Sequence, residues 1–285
     1  MRGKTMNRNY RFVPAIVPAI LMLAFAGAAH GEVRLSTGVE YTSGSYGGTE
    51  DIEDLYVPVT LSMSGSRISA SVTVPYLSVR APLGTTLGPD GEPLPGSGEI
   101  TTESGLGDVS ASLTLFDAFY SPDLAFAIDL TGAVKFGTAD VDKGLGTGEP
   151  DFSVYIDSYK WFDQFTLIAS VGYRWRGEPE GVEFDDVLMA SLGGAWETSE
   201  KSMFGLMVDY RQSALADLDD IQEVTAFGSF RLSDHWNLDV YAFTGFTDSS
   251  PDWGGGLSIA TDFSPRRLNE NRCCLLYTSP SPRDH

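Results

Sequence analysis

From about Val33 to Phe263, apolar residues alternate with small or polar ones at period two, in about twelve runs of roughly ten residues. The run from Phe165 to Trp175 shows the pattern best. Phe165, Leu167, Ala169, Val171, Tyr173 and Trp175 interleave with Thr166, Ile168, Ser170, Gly172 and Arg174. Such a segment is a strand with one apolar face and one mostly polar face. The run over 187–197 fits either phase, and the favoured one points Leu188, Ala190, Leu192, Gly194 and Trp196 outward. Short predicted turns near 64–67, 119–123, 161–164, 197–202 and 233–235 alternate with longer loops over 43–54, 80–107, 137–150, 177–186, 212–220 and 247–252. Bacterial outer-membrane barrels alternate short periplasmic turns with long outer loops, and an even strand number leaves both termini in the periplasm. Tyr41, Tyr76, Phe165, Tyr173, Trp175, Phe204, Tyr210, Trp236, Trp253 and Phe263 sit at the ends of the apolar faces. Aromatic girdles at two membrane interfaces account for that placement, and the cores of a soluble β-sandwich, the alternative fold, do not. The predicted class is all-β: a transmembrane antiparallel up-and-down β-barrel of about 12 strands.

The two ends of the chain are set apart from this pattern. Arg2, Lys4, Arg8 and Arg11 precede a mostly apolar stretch, Phe12 to Ala26, interrupted by Pro14 and Pro18. Ala29-His30-Gly31 follows as a small-x-small site, so residues 1–31 read as a cleaved secretory signal and the mature chain is expected to begin at Glu32. Cys274 to Asp284 reads CLLYTSPSPRD, which resembles the in-frame translation of a transposon-type sequencing adapter. Residues 264–285 are therefore expected to be a non-native or disordered tail, and the barrel to span 32–263. Cys273 and Cys274 both fall at that junction, which leaves the body without a disulfide framework or a thiolate nucleophile.

Charge narrows the function classes. The chain carries 19 Lys+Arg against 39 Asp+Glu. Loss of the signal removes four cations and no anions, so the body is more acidic still. Nucleic acid is a poor partner for such a surface, which offers phosphates no basic patch. The expected partners are outer-membrane lipid and lipopolysaccharide, the barrel-assembly machinery during biogenesis, and a small-molecule solute of unassigned identity.

The polar face of the strands carries the candidate lumen residues: Arg34, Glu40, Asp129, Lys135, Asp157, Arg174, Asp209, Arg211, Glu223, Arg231 and Asp239, with Asp262 beside them. Mixed charge on the inside of a barrel serves as structural ion pairs, lines a water path or binds solute, and rings of charge set selectivity in pores. Tyr56, Tyr155, Tyr159 and Tyr241 share that face and suit either a wet wall or an aromatic solute. The loops contain acidic groups such as Glu50, Asp51, Glu53 and Asp54, without the spacing of an EF-hand. Gly144 to Gly148 lacks the Lys-Ser/Thr of a phosphate loop and precedes a strand rather than a helix. His235 is the one histidine of the body and falls in a short turn, far from where a membrane hydrolase needs its base. No catalytic residue, cofactor site or metal site is assigned.

Three segments carry a family resemblance. Gly105-Leu106-Gly107-Asp108 opens the fourth predicted strand, Lys135-Phe136-Gly137-Thr138 closes the fifth, and Leu145-Gly146-Thr147-Gly148, with Asp151 three residues on, opens the sixth. Together they resemble the motifs G-L-G-D, K-x-P-T-G and L-G-T-G-x-x-D of the outer-membrane transporter family of the MetA pathway of phenol degradation. Gly137 stands where the family has Pro, and Ala139 where it has Gly. The resemblance marks Gly105, Gly107, Asp108, Lys135, Thr138, Gly146, Gly148 and Asp151 as motif positions. It implies an outer-membrane barrel that passes small solutes, hydrophobic or aromatic ones among them. The function expected is a monomeric passive channel or facilitator and not an enzyme. A structural or adhesive surface barrel with a plugged lumen is the alternative, and a membrane-embedded hydrolase is a third class.

Overall fold

In the computed structural model, the described residues are 31–87, 93–94, 96, 98–179, 184–215 and 218–263. Residues 1–30 of the expected signal, which runs to 31, and the expected tail from 264 lie outside them. Twelve antiparallel strands close on themselves. In chain order they are β1 (Glu32–Gly44), β2 (Ile52–Ser64), β3 (Ile68–Pro82), β7 (Ser110–Ser121), β8 (Phe126–Lys135), β9 (Asp151–Phe162), β10 (Phe165–Trp175), β11 (Val187–Ser199), β12 (Ser202–Arg211), β13 (Ile221–Arg231), β14 (Trp236–Gly245) and β15 (Trp253–Asp262). β15 pairs with β1, Arg34 opposite Asp262 and Ser43 opposite Trp253, and this closure removes both edges. Three shorter pieces, β4 (Thr86–Leu87), β5 (Pro93–Leu94) and β6 (Ile100–Leu106), lie between β3 and β7.

The alternation of the sequence is the alternation of the wall. Leu167, Val171, Tyr173 and Trp175 of β10 are exposed on the outside, while Thr166 and Arg174 are buried on the inside. In β11, Leu188, Leu192 and Trp196 are exposed and Val187 and Ala195 are buried, so the favoured phase holds. The outward aromatics collect near the rims: Tyr41 lies 5.4 Å from Trp253, and Tyr173 lies 5.0 Å from Trp175. Flat inner aromatics are seated on glycines. A Cβ at Gly254 would meet the Phe243 ring at 2.1 Å, and one at Gly172 would meet the Tyr155 ring at 2.5 Å. Glycine at these strand positions trades propensity for a close aromatic approach.

The expected strand cores hold, with corrections at their ends. Phe119–Ser121, Trp161–Phe162 and Glu197–Ser199, expected in turns, continue β7, β9 and β11, and Glu53 and Asp54, expected in a loop, lie in β2. Val109, Phe136, Leu232 and Phe263, expected in strands, lie just outside β7, β8, β13 and β15. Leu124 is an exposed turn residue, because the backbone reverses at Ala125 (φ 44°), whose N–H donates to the Pro122 carbonyl. Phe246 lies beyond the end of β14. The region expected as one loop over 80–107 is partly strand, since β6 pairs with the upper half of β3 from Tyr76 opposite Leu106 to Pro82 opposite Ile100.

β6 and β7 amount to one broken strand. β3 pairs with β7 from Ile68 to Thr73 and with β6 from Tyr76 onward. Residues 107–109 therefore face only Val74 and Pro75, which makes a bulge with one extra residue. Pro75 has no N–H to give to a ladder, and its carbonyl accepts from the Gly107 N–H at 3.0 Å. The bulge re-aims the side chain of Asp108. Above this level β8 and β9 stop short: β8 ends at Lys135 and β9 begins opposite it at Asp151. Among the described residues β6 pairs with β3 alone, so the wall has a notch at the long-loop rim.

Candidate functional site: a loop latched inside the barrel

The segment 137–150 is one of the expected long outer loops, and its middle folds into the lumen. Leu145, Gly146 and Thr147 are buried, while Asp140, Val141, Asp142 and Lys143 remain exposed. The physical reason is a set of contacts that joins all three sequence motifs.

Asp108, aimed by the bulge, is their centre. Its Oδ1 accepts from the backbone N–H groups of Thr138 and Ala139, both at 2.8 Å. Its Oδ2 accepts from Lys135 Nζ at 2.9 Å. The same ammonium lies 3.2 Å from an Asp151 oxygen, so one cation serves the carboxylates at the two roots of the loop. Asp151 is 1 % exposed and also accepts from the Gly177 N–H at 3.0 Å. Charge-assisted bonds of this kind are about twice as strong as neutral ones. Thr138 completes the root: its hydroxyl accepts from the Val109 N–H at 2.8 Å and donates to the Gly107 carbonyl at 3.2 Å.

The motif glycines make room for this closure. A Cβ on Gly146 would sit 2.8 Å from the Ala139 Cβ and 3.0 Å from Asp108 Oδ2. One on Gly105 would sit 3.1 Å from Leu145 Cδ1, and one on Gly107 2.8 Å from Leu77 Cδ1. Gly148 has φ 79°, a left-handed conformation that glycine adopts without penalty. Gly137, which departs from the family's Pro, abuts it: a Cβ there would lie 2.1 Å from both the carbon and the oxygen of the Gly148 carbonyl. Gly137→Ala is therefore expected to lower barrel stability by about 1–3 kcal/mol through overpacking of the loop neck. Urea unfolding of the refolded protein checks this, and an unchanged midpoint would show that the neck relaxes freely.

Leu145 is the tip of the folded loop. It is 2 % exposed and packs with Ile52, Tyr56, Leu77, Val79, Ala81 and Ala139. The strand members of this cluster lie on the inner faces of β2 and β3 at the long-loop end. The lumen wall there is largely apolar, with Asp54, between Ile52 and Tyr56 on β2 and opposite Val79, among its inner-facing side chains, and a second apolar inner patch, Ile168, Ala195, Met203 and Phe227, lies on β10 to β13. Below the cluster, the same strands and their neighbours carry hydroxyls in cross-strand pairs: Thr60 with Thr73, Ser64 with Ser69 and Ser71 with Ser112 at 2.8 Å, and Thr114 with Thr131 at 3.0 Å.

The charged candidates on the inner faces fall into smaller groups. Asp129, Asp157, Ser170, Ser191, Asp209 and Glu223 occupy one cross-strand row over β8 to β13. Within it Ser170 donates to Asp157 and Ser191 to Asp209, both at 2.6 Å, and Asp129 accepts from the Asp117 N–H at 2.8 Å. Arg174 donates to Ser153 and to the Tyr155 hydroxyl, each at 3.0 Å. Arg34 is 3.2 Å from Asp262, which also accepts from the Asn237 amide. Ser229 donates to Asp239 at 2.5 Å, and the Tyr241 hydroxyl donates to Glu40. Arg211 lies opposite Met189 and Arg231 opposite Asn237. Of the lumen candidates only Lys135 joins the latch. His235 sits in an exposed turn with Nδ1 2.9 Å from the Asp262 carbonyl oxygen, remote from the latch. Among the described residues there is no group of three or more His, Cys, Asp or Glu placed to hold a metal ion.

Charge alone does not point to Leu145 or to the hydroxyl pairs. The pairs have a signal in the alternation Thr60, Ser62, Ser64 along β2. For Leu145 the signal was the glycine spacing around it.

Comparison with known proteins fits this architecture. An outer membrane channel from Pseudomonas putida F1 is 11% identical with a TM-score of 0.65, covering 82% of this chain and 96% of that one. The NanC porin is 9% identical with a TM-score of 0.53, covering 80% and 98%. The KdgM porin is 8% identical with a TM-score of 0.52, covering 81% and 99%. At these identities the likeness speaks for the fold alone. No curated protein matches the sequence. The family model described as "Putative MetA-pathway of phenol degradation" matches residues 28–263, the whole barrel with all three motifs that build the latch, and the chain belongs to that family.

Proposed function

We propose that this protein is an outer-membrane channel of a Gram-negative bacterium for the passive passage of small solutes with an apolar part, aromatic ones among them. The observation that carries this is the largely apolar patch at the long-loop end of the inner faces of β2 and β3. Ile52, Tyr56, Leu77, Val79 and Ala81 occupy positions that a simple water-filled pore gives to polar side chains. A solute with an apolar body gains burial there, and the paired hydroxyls below offer neutral hydrogen-bonding groups to its polar end. The notch beside β6 adds a place where lumen and lipid approach each other: Leu106 and Val141 are exposed, and Lys143 Nζ reaches the Ser104 carbonyl at 2.9 Å across it. The similarity to structures named as an outer membrane channel and as porins supports the same reading. Outer-membrane lipid, lipopolysaccharide and the assembly machinery are the partners this location entails. The lumen candidates, Glu40, Arg174 and the Asp129–Glu223 row among them, are proposed as its polar lining.

Liposome swelling tests the proposal. Proteoliposomes in isosmotic phenyl β-D-glucoside, a bilayer-impermeant solute with an aromatic end, are expected to swell at least fivefold faster than protein-free vesicles. Swelling at the protein-free rate would remove the channel reading and leave a plugged surface barrel.

A further inference from the structure

The closed loop has two kinds of attachment, and they divide its length. The polar bonds hold its roots: Asp108 to Thr138 and Ala139, and Lys135 to Asp108 and Asp151. The buried segment Leu145-Gly146-Thr147 lies between Gly144 (φ 68°) and Gly148 (φ 79°), both left-handed. A pair of glycines can change conformation without the steric penalty other residues meet, which makes them hinge points for what they flank. Leu145 itself is held by apolar packing against Ile52, Tyr56, Leu77 and Val79.

We propose that Leu145 is a built-in stand-in for the apolar part of the solute, and that the recess it fills is a solute subsite. The inference rests on the channel function proposed above. An apolar tip in an apolar recess exchanges for another apolar group with little change in burial, because the recess stays covered. Exchange for water or an ion leaves both Leu145 and the recess wetted, which is unfavourable. The recess therefore stays closed to ions and yields to a solute that brings its own branched-alkyl or aromatic end. Gly105 fits this role, since any side chain there would press on Leu145, with the added Cβ 3.1 Å from Cδ1. The latch has a matching part: it keeps the roots in place while the tip moves, so the loop returns after each passage.

A disulfide between loop and wall tests this. In a protein with Cys273 and Cys274 replaced by Ser, the double variant Gly105→Cys/Leu145→Cys joins the tip to β6. Folding is checked by heat-modifiable migration, and Leu145→Gln, with no added cysteine, serves as the second variant. The expected result is that the oxidised lock passes phenyl β-D-glucoside at least fivefold more slowly than the same protein in reductant, while Leu145→Gln, which weakens the apolar hold, passes it faster than wild type. Equal rates for oxidised and reduced protein, both above the protein-free rate, would overturn the moving tip and leave the channel standing. Wild-type protein that passes none of the glucoside would overturn the channel and this inference together.

Discussion

Asp108→Ala is expected to lower barrel stability by about 3–5 kcal/mol and to free the loop it anchors. The substitution removes the acceptor of two backbone N–H groups and one of the two carboxylates around Lys135. The side chains of Asp108 and Lys135 are 8% and 12% exposed, so little water is at hand to replace those bonds. Asp108→Asn retains an oxygen for the two N–H groups and is expected to lose less, roughly 1–3 kcal/mol. Trypsin gives the local readout. Lys143 is tied to the Ser104 carbonyl in the closed loop, and cleavage after it should accelerate in the Ala variant ahead of global unfolding. Equal stability and equal cleavage in wild type and Asp108→Ala would show that the three motifs meet without holding the loop.

The second large effect concerns the membrane face. Ala169 lies on the outer face of β10 between Leu167 and Val171, near the strand midpoint, with Ser158 and Leu192 opposite on the neighbouring strands. An arginine there faces hydrocarbon, and Ala169→Arg should cost about 2–4 kcal/mol. Ser170 points the other way and donates to Asp157 at 2.6 Å. Ser170→Arg places its guanidinium beside a carboxylate in the wet lumen and is expected to be clearly milder. Successive side chains of a strand face opposite sides, so a one-residue error of phase would invert the contrast. Urea titration of both variants in lipid decides it, with greater damage from Ser170→Arg as the contrary result.

The wall of the barrel was legible in the sequence because each strand meets two solvents, lipid and lumen, and writes both at period two. Even the ambiguous run over 187–197 resolves correctly once the bulky Leu188, Leu192 and Trp196 are placed outward. What the alternation does not encode is where a loop goes. The segment 137–150 is rich in Gly and Asp, as solvated loops are, yet it turns inward because of Asp108, nearly thirty residues earlier in the chain. The bulge that aims Asp108 depends in turn on Pro75, on a third segment. The family motifs named most of the latch, Lys135, Asp108, Thr138, Gly146 and Asp151, without revealing that they converge. They also passed over the role of Leu145, whose burial depends on inner-face residues of β2 and β3 that read as ordinary strand. Charged lumen candidates were found by their phase, but strand register alone decides which of them form the row from Asp129 to Glu223.

The inward segment of the 137–150 loop, seated on the inner faces of β2 and β3, is proposed to restrict passage through the barrel. Replacing residues 141–146 with two glycines removes Leu145 and Lys143 and keeps Asp108, Lys135, Thr138 and Asp151 in place. In planar bilayers this variant is expected to show steady ohmic conductance several-fold above that of the wild-type protein. A shortened-loop barrel that is folded, as shown by heat-modifiable migration, and that conducts no more than wild type would contradict the account.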